Sequence, residues 1–181
     1  MVAILLGTGF EEIEALSPCD ILRRGGVEVK LAGVGAKTVT GAHGISVQAD
    51  CTVEELCAGK LEMLVLPGGM GGVASIRGSA PAMDLIRQVR EKEIPLAAIC
   101  AAPTIPGAMG LLQGKKAVCY PGMEGECIGA DMTQEAPVQQ DGNVITGRGP
   151  GASLLFGLRL LTFLKGQEAA DRVAAGMHDL S

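Results

Sequence analysis

Aromatic side chains are nearly missing from this sequence. There is no tryptophan, and the 181 residues hold three phenylalanines (Phe10, Phe156, Phe163) and one tyrosine, Tyr120. Stacking platforms for bases and aromatic-lined flavin or sugar sites are therefore not expected. Positive charge is scarce too: 15 Lys and Arg face 20 Asp and Glu, a net charge of −5. A nucleic-acid partner would call for a basic stripe, so none is expected. Histidine occurs twice, at His43 and His178, and none of the six cysteines is paired at Cys-x-x-Cys spacing. No metal site follows from such a set, and no dinucleotide fingerprint is present, so no cofactor is expected. No apolar run approaches the roughly 18 residues of a membrane span. Val2 to Leu6 has no basic residue before it and Glu11 and Glu12 soon after, unlike a signal peptide. A cytoplasmic location is expected, with Cys19, Cys51, Cys57, Cys100, Cys119 and Cys127 as reduced thiols.

What is present is aliphatic. Hydrophobic residues are 48% and charged ones 19%, a globular composition of one domain over residues 1–181. Short apolar runs read as strands at 2–6, 27–32, 63–66, 96–99, 117–120 and 144–146. Helical patterns fill 11–24, 80–92, 103–112, 153–164 and 168–175. The Gly-rich stretch 33–50 reads as a β-hairpin excursion. Continuous apolar strands alternating with helices require a sheet covered on both faces. The expected fold is α/β: a flavodoxin-like, doubly wound α/β/α sandwich with a mainly parallel central sheet. Ligands of such folds gather at the carboxyl ends of the strands.

Three strand ends carry chemistry. After the first come Gly9-Phe10-Glu11-Glu12-Ile13-Glu14. Glu11 and Glu12 suit a helix N-terminus, while Glu14, one turn in, is placed to reach back over the strand ends. After Leu66 comes Pro67-Gly68-Gly69, either a tight turn or a source of exposed N–H groups for an oxyanion. After Ile99 comes Cys100-Ala101-Ala102-Pro103, the strand–nucleophile–helix order of a nucleophile elbow. A helix N-terminus there would lower the thiol from its ordinary pKa of about 8.5. The competing reading is a core cysteine packed on the sheet. No histidine follows Cys100 closely, so His43 serves it only if the excursion folds over the site or another subunit delivers it. Glu14 is the better-placed partner, as a protonated acid hydrogen-bonded to sulfur. Cys119 and Cys127 read as structural or incidental thiols.

Gly9 to Ala15, Leu66-Pro67-Gly68-Gly69, Ala98-Ile99-Cys100-Ala101-Ala102-Pro103-Thr104 and Arg148-Gly149-Pro150-Gly151, in that order, resemble the ThiJ/PfpI superfamily. The likeness runs from Met1 to about Leu164 and is greatest to the branch of the parkinsonism-associated deglycase and its bacterial relatives. The resemblance implies Cys100 as nucleophile, Glu14 as its proton shuttle, and Gly68, Gly69 and Ala101 around an oxyanion. It also implies a homodimer, with Arg24 near the dimer contact and His43 approaching the neighbouring subunit's site. Arg148 and Pro150 match the pocket rim. Two departures stand out. Tyr120 occupies the position of a pocket histidine, and Ala101 replaces the histidine of the protease-like branch, which argues against a peptidase. The expected activity is cofactor-independent conversion of reactive 2-oxoaldehydes, methylglyoxal to lactate, by an oxidation-sensitive thiol. The alternative is a non-enzymatic oxidative-stress sensor or redox-regulated chaperone using the same cysteine.

Overall fold

A computed structural model describes residues 1–133 and 135–178. The chain starts with β1 (Val2–Leu6), in which every residue is buried, as an apolar strand covered on both faces must be. It continues through α1 (Glu12–Arg24), β2 (Val29–Gly33), the short strands β3 (Thr38–Thr40) and β4 (Ser46–Gln48), and β5 (Cys51–Thr52). Then come β6 (Met63–Leu66), α2 (Met70–Gly78), α3 (Ala80–Glu91), β7 (Leu96–Ile99) and the short α4 (Thr104–Ala108). The order closes with β8 (Val138–Asp141), β9 (Val144–Gly147), α5 (Ser153–Lys165) and α6 (Gln167–Gly176).

Seven strands form the main sheet in the order β5-β2-β1-β6-β7-β9-β8. All neighbours are parallel except β8 and β9. The expected fold is thus the observed one. From β1 the chain winds outward to β2 and then returns to add β6 on the other side, with Val2 paired to both Val29 and Met63. This reversal opens a crevice at the carboxyl ends of β1 and β6, where open α/β sheets bind their ligands. The stretch 33–50 forms the expected hairpin, β3 against β4, as a separate two-stranded sheet.

Two local readings are corrected, and one helix is added that the sequence pattern does not show. Residues 117–120 are not a strand, because their N–H groups go elsewhere. Ala117 donates to Asp131 O, Val118 to Thr146 Oγ1 and Tyr120 to Cys100 O. The helix read over 103–112 ends at Ala108. And Met70–Gly78 is a helix despite its three glycines. A side chain at Gly72 would come within 2.8 Å of Phe10 Cα, so the close approach of α2 to the β1–α1 turn selects glycine there over helix propensity.

Candidate active site

Cys100 follows β7 directly and adopts φ 64°, a left-handed conformation unusual outside glycine. The surroundings fix it there. Its N–H donates to Gly147 O at 2.9 Å, and its carbonyl accepts from Tyr120 N–H at 2.8 Å. Thr104, fully buried at the start of α4, donates its hydroxyl to Ala101 O at 2.7 Å, closing the turn after the cysteine. Arg77 from α2 in turn donates to Thr104 Oγ1 at 2.8 Å. Sequence reading missed both supports, since neither Arg77 nor the hydroxyl of Thr104 carries a spacing signal.

Glu14, on the first turns of α1, is completely buried. Its Oε2 accepts from Gly68 N–H at 2.8 Å, and the carboxyl faces the Cys100 thiol. Its Oε1 has no hydrogen-bond partner. The N–H groups of Gly69 and Ala101 also face the Cys100 sulfur. Glycine is required here by crowding. A Cβ on Gly68 would lie 2.6 Å from Glu14 Oε2, 2.7 Å from Cys100 Cβ and 2.9 Å from Ile99 O. Gly69 has φ 81°, and a side chain there would strike Gly9 O. Three strand ends therefore converge so closely that a carboxyl, a thiol and two amides share one small space.

The electrostatics differ from the helix-terminus expectation. Burial, then the charge and hydrogen bonding of Glu14, push the Cys100 thiol up to about 12, although Gly69 and Ala101 favour the thiolate. α4 is only five residues long, too short for its dipole to dominate. Burial pushes Glu14 up to about 7, against the hydrogen bonds from Cys100 and Gly68. The two groups titrate as a unit, losing a first proton near neutrality and the second only in strong base. At neutral pH the pair is poised to hold one proton and to move it.

Tyr120, Arg148 and Pro150 line a cavity of about 300 Å3, together with Pro121, Pro137 and Gly149. Its link to Cys100 is the Tyr120 N–H on the Cys100 carbonyl. The Arg148 backbone N–H donates to Pro137 O at 2.9 Å, and its guanidinium reaches Glu135 O at 3.4 Å.

His43 is not part of this group within its own chain. Its Nδ1 lies 2.9 Å from Glu12 Oε2 and its N–H donates to Glu12 Oε1 at 2.8 Å, while its side chain is 67% exposed. Glu12 first and Glu11 next raise the imidazole above its ordinary pKa. Burial opposes charge on Glu12, but the bonds from His43 outweigh it and hold the carboxyl low. Within its own chain the imidazole of His43 is held by Glu12. Among the described residues, Glu11, Glu12 and His43 are the one group of three ligating side chains with atoms within 4.8 Å of one another. The His43–Glu12 pair already satisfies itself, so the group reads as an ion-pair cluster. Arg24 lies exposed, with its Nε 2.6 Å from Asp20 Oδ2.

Residues 1–163 match the family model described as DJ-1/PfpI family. The chain is 34% identical over 176 residues to protein dj-1beta of Drosophila melanogaster, covering 96% of this chain and 94% of that one. It is 34% identical over 150 residues to a protein named deglycase of Pyrococcus horikoshii, covering 82% of this chain and 90% of the relative. Among solved structures, oxidized Toxoplasma gondii DJ-1 superposes with a TM-score of 0.93 at 33% identity, covering 99% of this chain and 98% of that one. The elbow, the buried acid and the glycine turn thus stand on a fold shared over nearly its whole length with known relatives: this chain belongs to the DJ-1/PfpI family.

Proposed function

We propose that the protein is a thiol enzyme that converts methylglyoxal and related 2-oxoaldehydes to 2-hydroxy acids without a cofactor. The observation that carries this reading is a buried carboxyl sharing a proton with a thiol that two amides also face. The reaction is an internal oxidation–reduction, which needs a nucleophile, an oxyanion site and a mobile proton. Cys100 sulfur bonds the aldehyde carbon as its proton passes to Glu14. The C=O electrons move to oxygen, and the amides of Gly69 and Ala101 stabilise the charge. Glu14 passes that proton to the hemithioacetal oxygen and so becomes a base again, then removes the proton on that carbon while the neighbouring carbonyl oxygen takes one from solvent, giving an enediol; it returns its proton to the neighbouring carbon as the first carbon's hydroxyl gives one back to solvent. The first carbon is oxidised to a thioester and the second is reduced to an alcohol. Water attacks the thioester, the C–S bond breaks, and the hydroxy acid leaves with the thiol restored. Tyr120 and Arg148 border a cavity tied to Cys100 through the Tyr120 N–H and would orient substrate oxygens.

The name of the archaeal relative, deglycase, supports chemistry on adducts of the same aldehydes. The exposed His43 suits the family's dimeric arrangement, in which it would approach a second subunit's site. The same geometry favours one other use of the thiol. Oxygens added to Cys100 sulfur would meet the two amides and a protonated Glu14, which suits an oxidation sensor.

Lactate formation from methylglyoxal, by reduced metal-free protein beside its Cys100→Ser variant, tests the proposal. Turnover that the variant loses is expected. Equal rates for both proteins, or no lactate from the unaltered chain, would overturn the enzyme reading.

A further inference from the structure

Two cysteines meet outside the Cys100–Glu14 pair. Cys119 and Cys127 are 4% and 2% exposed, and their thiols lie close enough that each shifts the other's ionisation. Both belong to a small apolar cluster with Leu112, Ala117 and Val144, apart from the main core. The intervening segment is folded back on itself to bring them together. Met123 N–H donates to Tyr120 O at 3.1 Å, Glu126 N–H to Met123 O at 3.0 Å, and Cys127 N–H to Glu124 O at 3.1 Å. Burial has not sealed Cys119. Cys119 lines a cavity of about 210 Å3 with Val118, Glu124, Met132 and Arg148.

Nothing in the proposed aldehyde chemistry uses these two thiols. We infer that Cys119 and Cys127 form a redox-active dithiol that a small hydroperoxide converts to an intramolecular disulfide, a modification site separate from Cys100. The neighbouring Cys119 thiol favours ionisation of Cys127, although burial opposes it. Cys127 and burial push the Cys119 thiol up. A thiolate of this pair attacks a peroxide in the cavity that Cys119 lines, so that an S–O bond forms and the O–O bond breaks. The departing oxyanion takes a proton and leaves as alcohol, or as water from hydrogen peroxide. The other sulfur then attacks the sulfenic sulfur, the S–S bond forms, the S–O bond breaks, and water leaves with that thiol's proton. Two thiols are oxidised by two electrons, and the peroxide is reduced by the same two.

The bond would be felt at the active site. Cys119 Sγ now donates to Tyr120 O at 3.3 Å, and the same Tyr120 donates its N–H to Cys100 O. Disulfide formation removes the first of these contacts from the wall of the Tyr120–Arg148 cavity.

The test is peptide mapping without reductant. Trypsin leaves both cysteines on one fragment between Lys116 and Arg148, so a protease that cuts after Glu124 and Glu126 is added. Reduced protein and its Cys100→Ser variant are treated with hydrogen peroxide, and free thiols are alkylated. In both proteins the expected product joins the Cys119 and Cys127 fragments, two hydrogens lighter than their sum. It separates on reduction and comes from a chain of single-chain size on a denaturing gel. Recovery of the two cysteines on separate fragments, whether alkylated or oxidised singly, overturns the inference. So does a link to another cysteine or another chain. The readout is independent of lactate formation, so its failure and that of the aldehyde reading are distinguishable.

Discussion

Replacing Glu14 with glutamine separates two effects that a single activity measurement confounds. Glutamine keeps an oxygen for the Gly68 N–H and presents an amide N–H to the sulfur, while removing both the negative charge and the exchangeable proton. The thiol of Cys100 stands at about 12, three units above its ordinary 9.0, and Glu14 contributes to the rise after burial. Removing the carboxylate is expected to lower the thiol pKa toward 9, while burial keeps it from falling fully. A fall of about one unit multiplies the thiolate fraction near pH 8 about tenfold. Alkylation by iodoacetamide, followed against pH, should therefore be faster in Glu14→Gln. Turnover should move the other way, falling by roughly 10²–10⁴-fold, because no group remains to carry the proton between carbons. Faster alkylation with slower turnover is the signature of a proton shuttle that also restrains its nucleophile. Slower alkylation in the variant would refute the reasoning. It would mean that the acid acts chiefly as a protonated donor stabilising the thiolate. Unchanged turnover would remove Glu14 from the proton path.

The same carboxyl links stability to pH. Its folded value of about 7 lies above the unfolded 4.5, so the folded state binds the proton more tightly. That contribution is present below 4.5 and lost as pH rises through 7, at a cost of about 3 kcal/mol. In denaturant titrations Glu14→Gln should gain stability over the parent at pH 8 and little at pH 4.5; an equal difference at both would contradict the assignment. Gly68→Ala should abolish turnover and cost roughly 1–3 kcal/mol, since its methyl group meets Glu14, Cys100 and Ile99 backbone at once; a fully active, fully stable variant would show that the convergence is looser than described. The His43 imidazole should titrate by NMR above 6.5 and fall back in Glu12→Gln, because Glu12 is the chief cause of the rise; an unmoved titration would break the pair.

The sheet was legible because its strands are short unbroken runs of Val, Leu, Ile and Ala, and burial on both faces leaves no room for polar alternation. Cys100 and Glu14 were visible as the polar residues at strand ends and one helical turn beyond. What sequence could not supply was geometry set by distant partners. The helix over Met70–Gly78 hides behind glycines, of which Gly72 meets Phe10 and Gly71 meets Gly9, residues far away in the chain. Residues 117–120 look like a strand because Ala117, Val118 and Cys119 are buried, yet their N–H groups answer to Asp131, Thr146 and Cys100. The direction of the thiol shift was likewise hidden. Sequence shows a helix after Cys100 but neither its short length nor the depth of the carboxyl beside it. The meeting of Cys119 with Cys127 depends on turns at Met123 and Glu124 that no spacing rule announces.

The lone tyrosine has a use beyond its place on the cavity wall. With no tryptophan anywhere in the chain, near-ultraviolet emission of the native protein arises from one phenol at Tyr120. That ring is half in solvent and half over Gly149, at the rim of the cavity it shares with Arg148. The molecule therefore carries its own optical gauge at that rim. Occupancy of the neighbouring cavity can be followed as a change in a single intrinsic signal, with no label and no mutation.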